Sequence, residues 1–212
     1  YLDGGNFEHN VSSVDTSVVQ PVYGASYPNH IFDLNATVNL EMIWVEPGTF
    51  MMGSPVSEAN HGNFEGEHNV TLTQGFYLGK YEVTQAQWLA VMGISPSEFS
   101  GSNRPVEKVN WFDVATFCQQ LTQMERNAGR LPVGWAYALP TEAQWEYACR
   151  AGTTSATSFG DGISSMQANF DGTQPYGGAA TGPNVGQTTD VGSYNPNSWG
   201  FFDMHGNVWE WC

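Results

Sequence analysis

The stretch Trp199-Gly200-Phe201-Phe202-Asp203-Met204-His205-Gly206-Asn207-Val208-Trp209-Glu210-Trp211, just ahead of Cys212, decides how this chain is read. Two indoles bracket a glutamate, and an aromatic run and a Gly-Asn pair precede them. Neither the period of an amphipathic helix nor the alternation of a half-buried strand runs through it. It reads as an irregular, aromatic-walled loop with oxygen ligands turned inward. Asp203, Glu210 and nearby carbonyls are hard donors of the kind Ca²⁺ gathers in sets of about six to eight. Gly206 lets the backbone fold tightly enough for the carbonyls of 206 and 208 to converge on one ion. The same acid pair could instead be satisfied by backbone N–H groups.

Outward from this stretch, composition narrows the function classes. Only 6 Lys and Arg stand against 21 Asp and Glu, a formal charge of −15. Six cations cannot build a basic patch, which argues against nucleic acid or an anionic membrane surface as partner. No apolar run approaches the roughly 18 residues of a membrane span. With 14% aromatics and 8 Trp, the 212 residues read as one packed domain, and 24 Gly and 11 Pro make it rich in loops. No signal peptide is visible, and the compartment stays open: periplasmic or secreted as well as cytoplasmic. Glycosylation sequons at Asn10, Asn35 and Asn69 are short enough to arise by chance.

His9, His30, His61, His68 and His205 stand singly, without HxH or HExxH, which argues against an iron or zinc triad. No GxSxG, P-loop or dinucleotide-binding fingerprint occurs. Cys118, Cys149 and Cys212 form neither a CxxC pair nor a zinc spacing. Cys118 and Cys149 fall on apolar faces of expected helices, where a thiol is usually an inert small hydrophobe. A bond between these two is not supported by spacing alone.

Residues 1–38 are polar and without periodicity, and read as an N-terminal extension or linker; the domain is expected over 39–212. Leu40–Glu46 and Thr49–Gly53 read as strands joined at Pro47-Gly48 into a hairpin. Further strands are expected at Val70–Leu72 and Phe76–Gly79. Three helices follow, started by Thr84, Asn110 and Thr141 as N-caps. Residues 152–197 carry no regular pattern, a length that normally calls for ligands or a metal.

Six blocks in order carry a resemblance: W-V-E-P-G-T-F-M-M-G-S from Trp44, Y-L-G-K-Y-E-V-T-Q-A-Q-W from Tyr77, R-P-V-E-K-V-N-W-F-D-V-A from Arg104, L-P-T-E-A-Q-W-E-Y-A-C-R-A-G from Leu139, A-N-F-D-G from Ala168 and G-F-F-D-M-H-G-N-V-W-E-W from Gly200. Together they resemble the formylglycine-generating enzyme (sulfatase-modifying factor) family. That resemblance implies an α+β fold related to C-type lectins, rich in irregular loops, with few strands and about three helices. It implies a calcium site at Asp203, Gly206, Val208 and Glu210. A second is implied at Asn169, Phe170, Asn184 and Val185, although Pro183 stands where an acidic residue is expected. Trp209 would line a peptide cleft, or serve as a core indole. Cys118 and Cys149 would be structural cysteines. The implied activity is O₂-dependent oxidation of a cysteine in a sulfatase-like substrate to formylglycine, as in sulfatase maturation by bacterial members. The copper ion used there is held by a cysteine pair expected beyond residue 212, so no catalytic residue falls within this sequence and the domain reads as incomplete at its C-terminus. The alternative is a non-catalytic, lectin-like module binding a peptide, glycan or partner protein.

Overall fold

The computed structural model describes residues 29–58 and 61–212. The expectations for residues 1–28, the Asn10 sequon among them, lie outside the described residues. Five strands precede three helices: β1 (His30–Asp33), β2 (Asn39–Val45), β3 (Gly48–Met52), β4 (His68–Leu72), β5 (Phe76–Gly79), α1 (Gln85–Met92), α2 (Trp111–Asn127) and α3 (Glu142–Arg150). This is the α+β arrangement with few strands and much coil.

β2 is the centre of an antiparallel sheet ordered β1-β2-β5, while β3 and β4 form a separate antiparallel pair. The hairpin expected between β2 and β3 therefore does not form. Glu46-Pro47 instead carries the chain from one sheet to the other. Pro47 offers no N–H, and each strand finds a partner farther along the chain, Val45 opposite Phe76 and Thr49 opposite Thr71. A second difference lies upstream. β1 begins ahead of Asn39, and Phe32 and Leu34 are buried in the same cluster as Leu40, so these residues pack with the sheet rather than lead up to it. Phe32 and Leu34 alternate with exposed Asp33, but the run is too short to announce a strand by pattern.

All three helix starts are capping boxes: Thr84 with Gln87, Asn110 with Asp113 and Thr141 with Gln144. Each cap side chain stabilises its helix by about 1 kcal/mol. The helices then divide between two cores. Trp88 of α1 stacks on Phe117 of α2, with centroids 5.1 Å apart and planes 2° from parallel, beside Leu121, Phe32 and Leu40. Ala148 and Cys149 of α3 pack with Ile43, Val45, Phe201 and Met204. The 199–211 stretch is thus anchored by its own Phe201 and Met204.

Residues 152–197 hold no helix or strand of their own. Side-chain amides and guanidinium groups hold much of this coil and its borders. Asn197 donates to the carbonyls of Ala148 and Cys149 and accepts from the N–H groups of Trp199 and Phe201. Arg150 pairs with Glu146 within α3 at 2.7 Å and ties the helix to the Gly53 carbonyl at 2.6 Å. Backbone polar groups outside regular structure need such partners to be buried at all.

Candidate functional site

Asp203 sits at φ 59 and is buried. Its Oδ2 accepts from the Gly192 N–H at 2.7 Å, while Oδ1 is buried without a hydrogen-bond partner among the described residues. Burial raises its pKa. Glu210 is exposed as a residue, yet its carboxyl end lies inward. Burial, with the Asp203 charge adding and the Trp145 indole opposing, pushes its pKa up to about 7. Gly206 is the point of closest approach: a Cβ there would stand 2.6 Å from the Asn169 carbonyl oxygen. Only glycine permits that contact.

Glu82, which sequence reading had not singled out, completes the group. It is buried just ahead of α1, and it accepts from Asn207 Nδ2 at 2.7 Å and from the Val208 N–H at 3.2 Å. Burial, then the charges of Glu210 and Asp203, raise its pKa to about 9, partly offset by those two hydrogen bonds. Glu82 was legible only as part of the K-Y-E-V-T block; its convergence with a loop 125 residues away is tertiary information.

The charges of Glu210 and Asp203 thus act on Glu82, and that of Asp203 on Glu210, and no Lys or Arg acts on any of the three. Such a group is costly to ionise without a compensating cation. The orphaned Asp203 Oδ1 and an all-oxygen donor set fit a hard divalent cation such as Ca²⁺. No group of three or more His, Cys, Asp or Glu side chains is placed to share one ion among the described residues, so carbonyls would supply part of any shell. Copper is different. It calls for a close pair of thiolates, whereas Cys118 and Cys149 lie in separate cores and all three cysteines are free. Burial pushes Cys118 and Cys212 up to about 11 and Cys149 up to about 12. These residues do not fit a copper centre.

Beside the carboxyl cluster runs an open groove of about 540 Å³. It is lined by Phe99 and residues 106–109, by 169–171, by 184 and 186–188, and by 207–209 and 211. Trp209 is 99% exposed and Trp211 49%, so Trp209 is not the core indole one reading allowed. Of the second expected cation set, Asn169, Phe170 and Asn184 line the groove, and Val185 is exposed nearby. Asp171, which sequence reading passed over, lies with them, its carboxyl held below the usual range by the Thr173 hydroxyl and N–H.

His205 belongs to the 203–210 loop, but its ring bonds away from the carboxyl groups. His205 Nε2 accepts from the Ser158 N–H at 3.0 Å, and burial lowers its pKa to about 4, so it is neutral beside the equally neutral Cys149 thiol, 3.8 Å away.

Comparison with known proteins agrees with the six blocks. Chaperone protein LppX of Paenibacillus barcinonensis is 34% identical, over 84% of this chain and 72% of its own length. The formylglycine-generating enzyme of Mycobacterium tuberculosis is 35% identical over 61% of this chain, and the match spans 40% of that enzyme, less than half its length. Among solved structures, Treponema denticola variable protein 1 superposes with a TM-score of 0.67 at 26% identity, covering 88% of this chain and 77% of its own. PvdO from Pseudomonas aeruginosa superposes with a TM-score of 0.66 at 27% identity, covering 88% and 76%. The family model described as a sulfatase-modifying factor enzyme 1-like domain matches residues 30–212. Helices, sheets and the Asp203–Glu210 loop all fall inside that match, and the chain belongs to the sulfatase-modifying factor enzyme 1-like family.

Proposed function

We propose that this domain binds an extended polypeptide segment in the groove beside Trp209, with a calcium ion in the Asp203–Glu210 loop supporting the groove floor. The observation that carries this reading is the exposed indole of Trp209 at the edge of a 540 Å³ groove. Groove-lining amides and carbonyls offer main-chain hydrogen bonding to an extended peptide, and Phe99, Phe170 and Trp211 offer apolar contact. Relatives named as a chaperone and as formylglycine-generating enzymes both suit a domain that engages polypeptide. In the calcium loop, Asp203 and Glu210 would hold the ion with the carbonyls of Gly206 and Val208. The ion would supply the positive charge that these neighbouring carboxyl groups lack. The second set at Asn169, Phe170, Asn184 and Val185 would hold another ion, with Asp171 in place of the acidic residue expected at Pro183.

The test is fluorescence anisotropy with a labelled, cysteine-containing peptide from a sulfatase, in calcium. Stacking on an aromatic anchor is worth about 1–3 kcal/mol, so Trp209→Ala should weaken binding by roughly tenfold. Equal affinity of the two proteins would rule out the groove as the binding place.

A second reading, O₂-dependent conversion of the bound peptide's cysteine to formylglycine, is favoured by the relatives carrying that enzyme name. It needs a thiolate pair that the described residues do not supply, and which is expected beyond residue 212. Mass analysis of the peptide cysteine, after incubation in air with protein extended past 212, tests it. Unchanged cysteine in a peptide that binds would leave the binding reading alone.

A further inference from the structure

One side chain joins the candidate calcium loop to the far parts of the groove, and it belongs to neither ligand set. Asn207, at φ 75, lies between Gly206 and Val208. Its Nδ2 donates to Glu82 Oε2 at 2.7 Å and to the Thr189 carbonyl at 3.3 Å. Its Oδ1 accepts from the Thr189 N–H at 2.8 Å and from Asn169 Nδ2 at 3.1 Å. Its own N–H donates to the Asn169 carbonyl at 2.8 Å. Asn169 passes the connection on, donating through Nδ2 to the Gln187 carbonyl at 2.9 Å. One amide therefore holds both main-chain groups of Thr189 and one edge of the 169–171 segment, and closes on buried Glu82 behind it.

Outside Asn207, the 184–192 segment is held at buried Thr188, whose carbonyl accepts from Arg104 Nη1, and at Val191, whose N–H donates to the Asn103 carbonyl at 2.9 Å; Thr189 and the edge of 169–171 are tied by Asn207. Neither segment is helix or strand, and residues 184–187 are exposed. A polar network in which each member orients the next passes order from one segment to another. Gly206 is in backbone contact with Asn169, so any movement of the 206–208 carbonyls moves Asn207 with them.

We infer that Asn207 is a positioning residue that couples cation binding in the 203–210 loop to order in the groove segments 169–171 and 184–189. This rests on the calcium reading above and deepens it: the ion prepares the groove for its polypeptide through one amide. In the absence of the ion, the groove segments exchange between conformations more readily. With the ion bound, the carbonyls of 206 and 208 are drawn together, Asn207 is held, and Thr189 and Asn169 are held with it.

The experiment is hydrogen exchange of the full chain, read by mass spectrometry on peptides spanning 184–189, with calcium and with chelator. Calcium uptake is measured separately by calorimetry. In the unaltered protein, calcium is expected to slow exchange at 184–189 by about fivefold or more, the lower end of ordinary coupling between sites. Asn207→Gly suits φ 75 without strain. It is expected to take up calcium while exchanging at 184–189 equally fast in both conditions. Asn207→Ser leaves a side chain too short to reach Glu82 and Thr189 together, and is expected to lose the slowing as well; it decides the matter alone if Asn207→Gly does not fold. A merely structural role would speed exchange in both conditions and leave the calcium-dependent difference intact.

Slowing retained in Asn207→Gly, or in a folded Asn207→Ser, overturns the inference. Calcium uptake by the unaltered chain without slowing at 184–189 overturns the coupling and spares the calcium site. No uptake at all overturns the calcium reading and this inference with it.

Discussion

Gly206→Ala tests whether the 203–210 loop is built around a backbone contact. The added methyl would lie 2.6 Å from the Asn169 carbonyl oxygen, 3.1 Å from its carbon and 3.3 Å from the Asn169 nitrogen. All three are main-chain atoms, so no side-chain rotation relieves the clash. Carbon prefers about 3.5 Å or more from such neighbours, so the segments must part by roughly half an ångström to an ångström. Overpacking of that kind costs about 1–3 kcal/mol. The parting also breaks the 2.8 Å bond from the Asn207 N–H to Asn169, worth about 1 kcal/mol. The expected loss is about 2–4 kcal/mol in urea unfolding, a melting-temperature drop of roughly 5–15 °C for a chain of this size. Gly93→Ala is the control. Gly93 caps α1 at φ 72 with nothing within 4 Å of an added Cβ, so only conformational strain of about 1–2 kcal/mol opposes it. Gly206 is not in the left-handed region, so dihedral angles alone would rank the two the other way. Gly206→Ala costing less than about 1 kcal/mol, or less than Gly93→Ala, would refute the contact argument.

The carboxyl cluster makes stability depend on pH. Glu82 keeps its proton up to about 9 and Glu210 up to about 7, against 4.5 ordinarily, so the folded state holds protons that the unfolded chain has lost. Without calcium, this stability is fully present below about 4.5 and is lost as pH rises through about 7 for Glu210 and about 9 for Glu82, at up to roughly 1.4 kcal/mol per unit for buried Glu82 and less for Glu210, which solvent screens. Melting temperatures in chelator should therefore fall from pH 5 towards 9, and calcium should raise them most at the alkaline end; a flat profile in chelator would contradict the burial of these carboxyls. Trp88→Ala should cost about 3–5 kcal/mol in urea unfolding, because Trp88 is 2% exposed and stacked on Phe117; a cost near 1 kcal/mol would mean that the α1–α2 core is loosely packed. Native thiol titration should modify exposed Cys212 first and buried Cys149 only on unfolding, and the reverse order would displace α3 from its core.

What the sequence determined by itself was local chemistry and family. Capping side chains act on N–H groups two or three residues away, so Thr84, Asn110 and Thr141 marked all three helix starts correctly. The apolar stripe of α2 and the patternless 152–197 segment were legible for the same reason, as were the residues of the 199–211 stretch. The tertiary structure decided the rest. Strand partners are chosen over distance: β2 took β1 and β5 rather than the adjacent β3, and Phe32 and Leu34 joined the core from a run too short to announce itself. The exposure of Trp209, the burial of Glu82 and the bridging by Asn207 are likewise invisible in a linear pattern. Each is set by which segments the fold brings together, because burial, raised pKa values and a shared amide depend on neighbours far away in the chain.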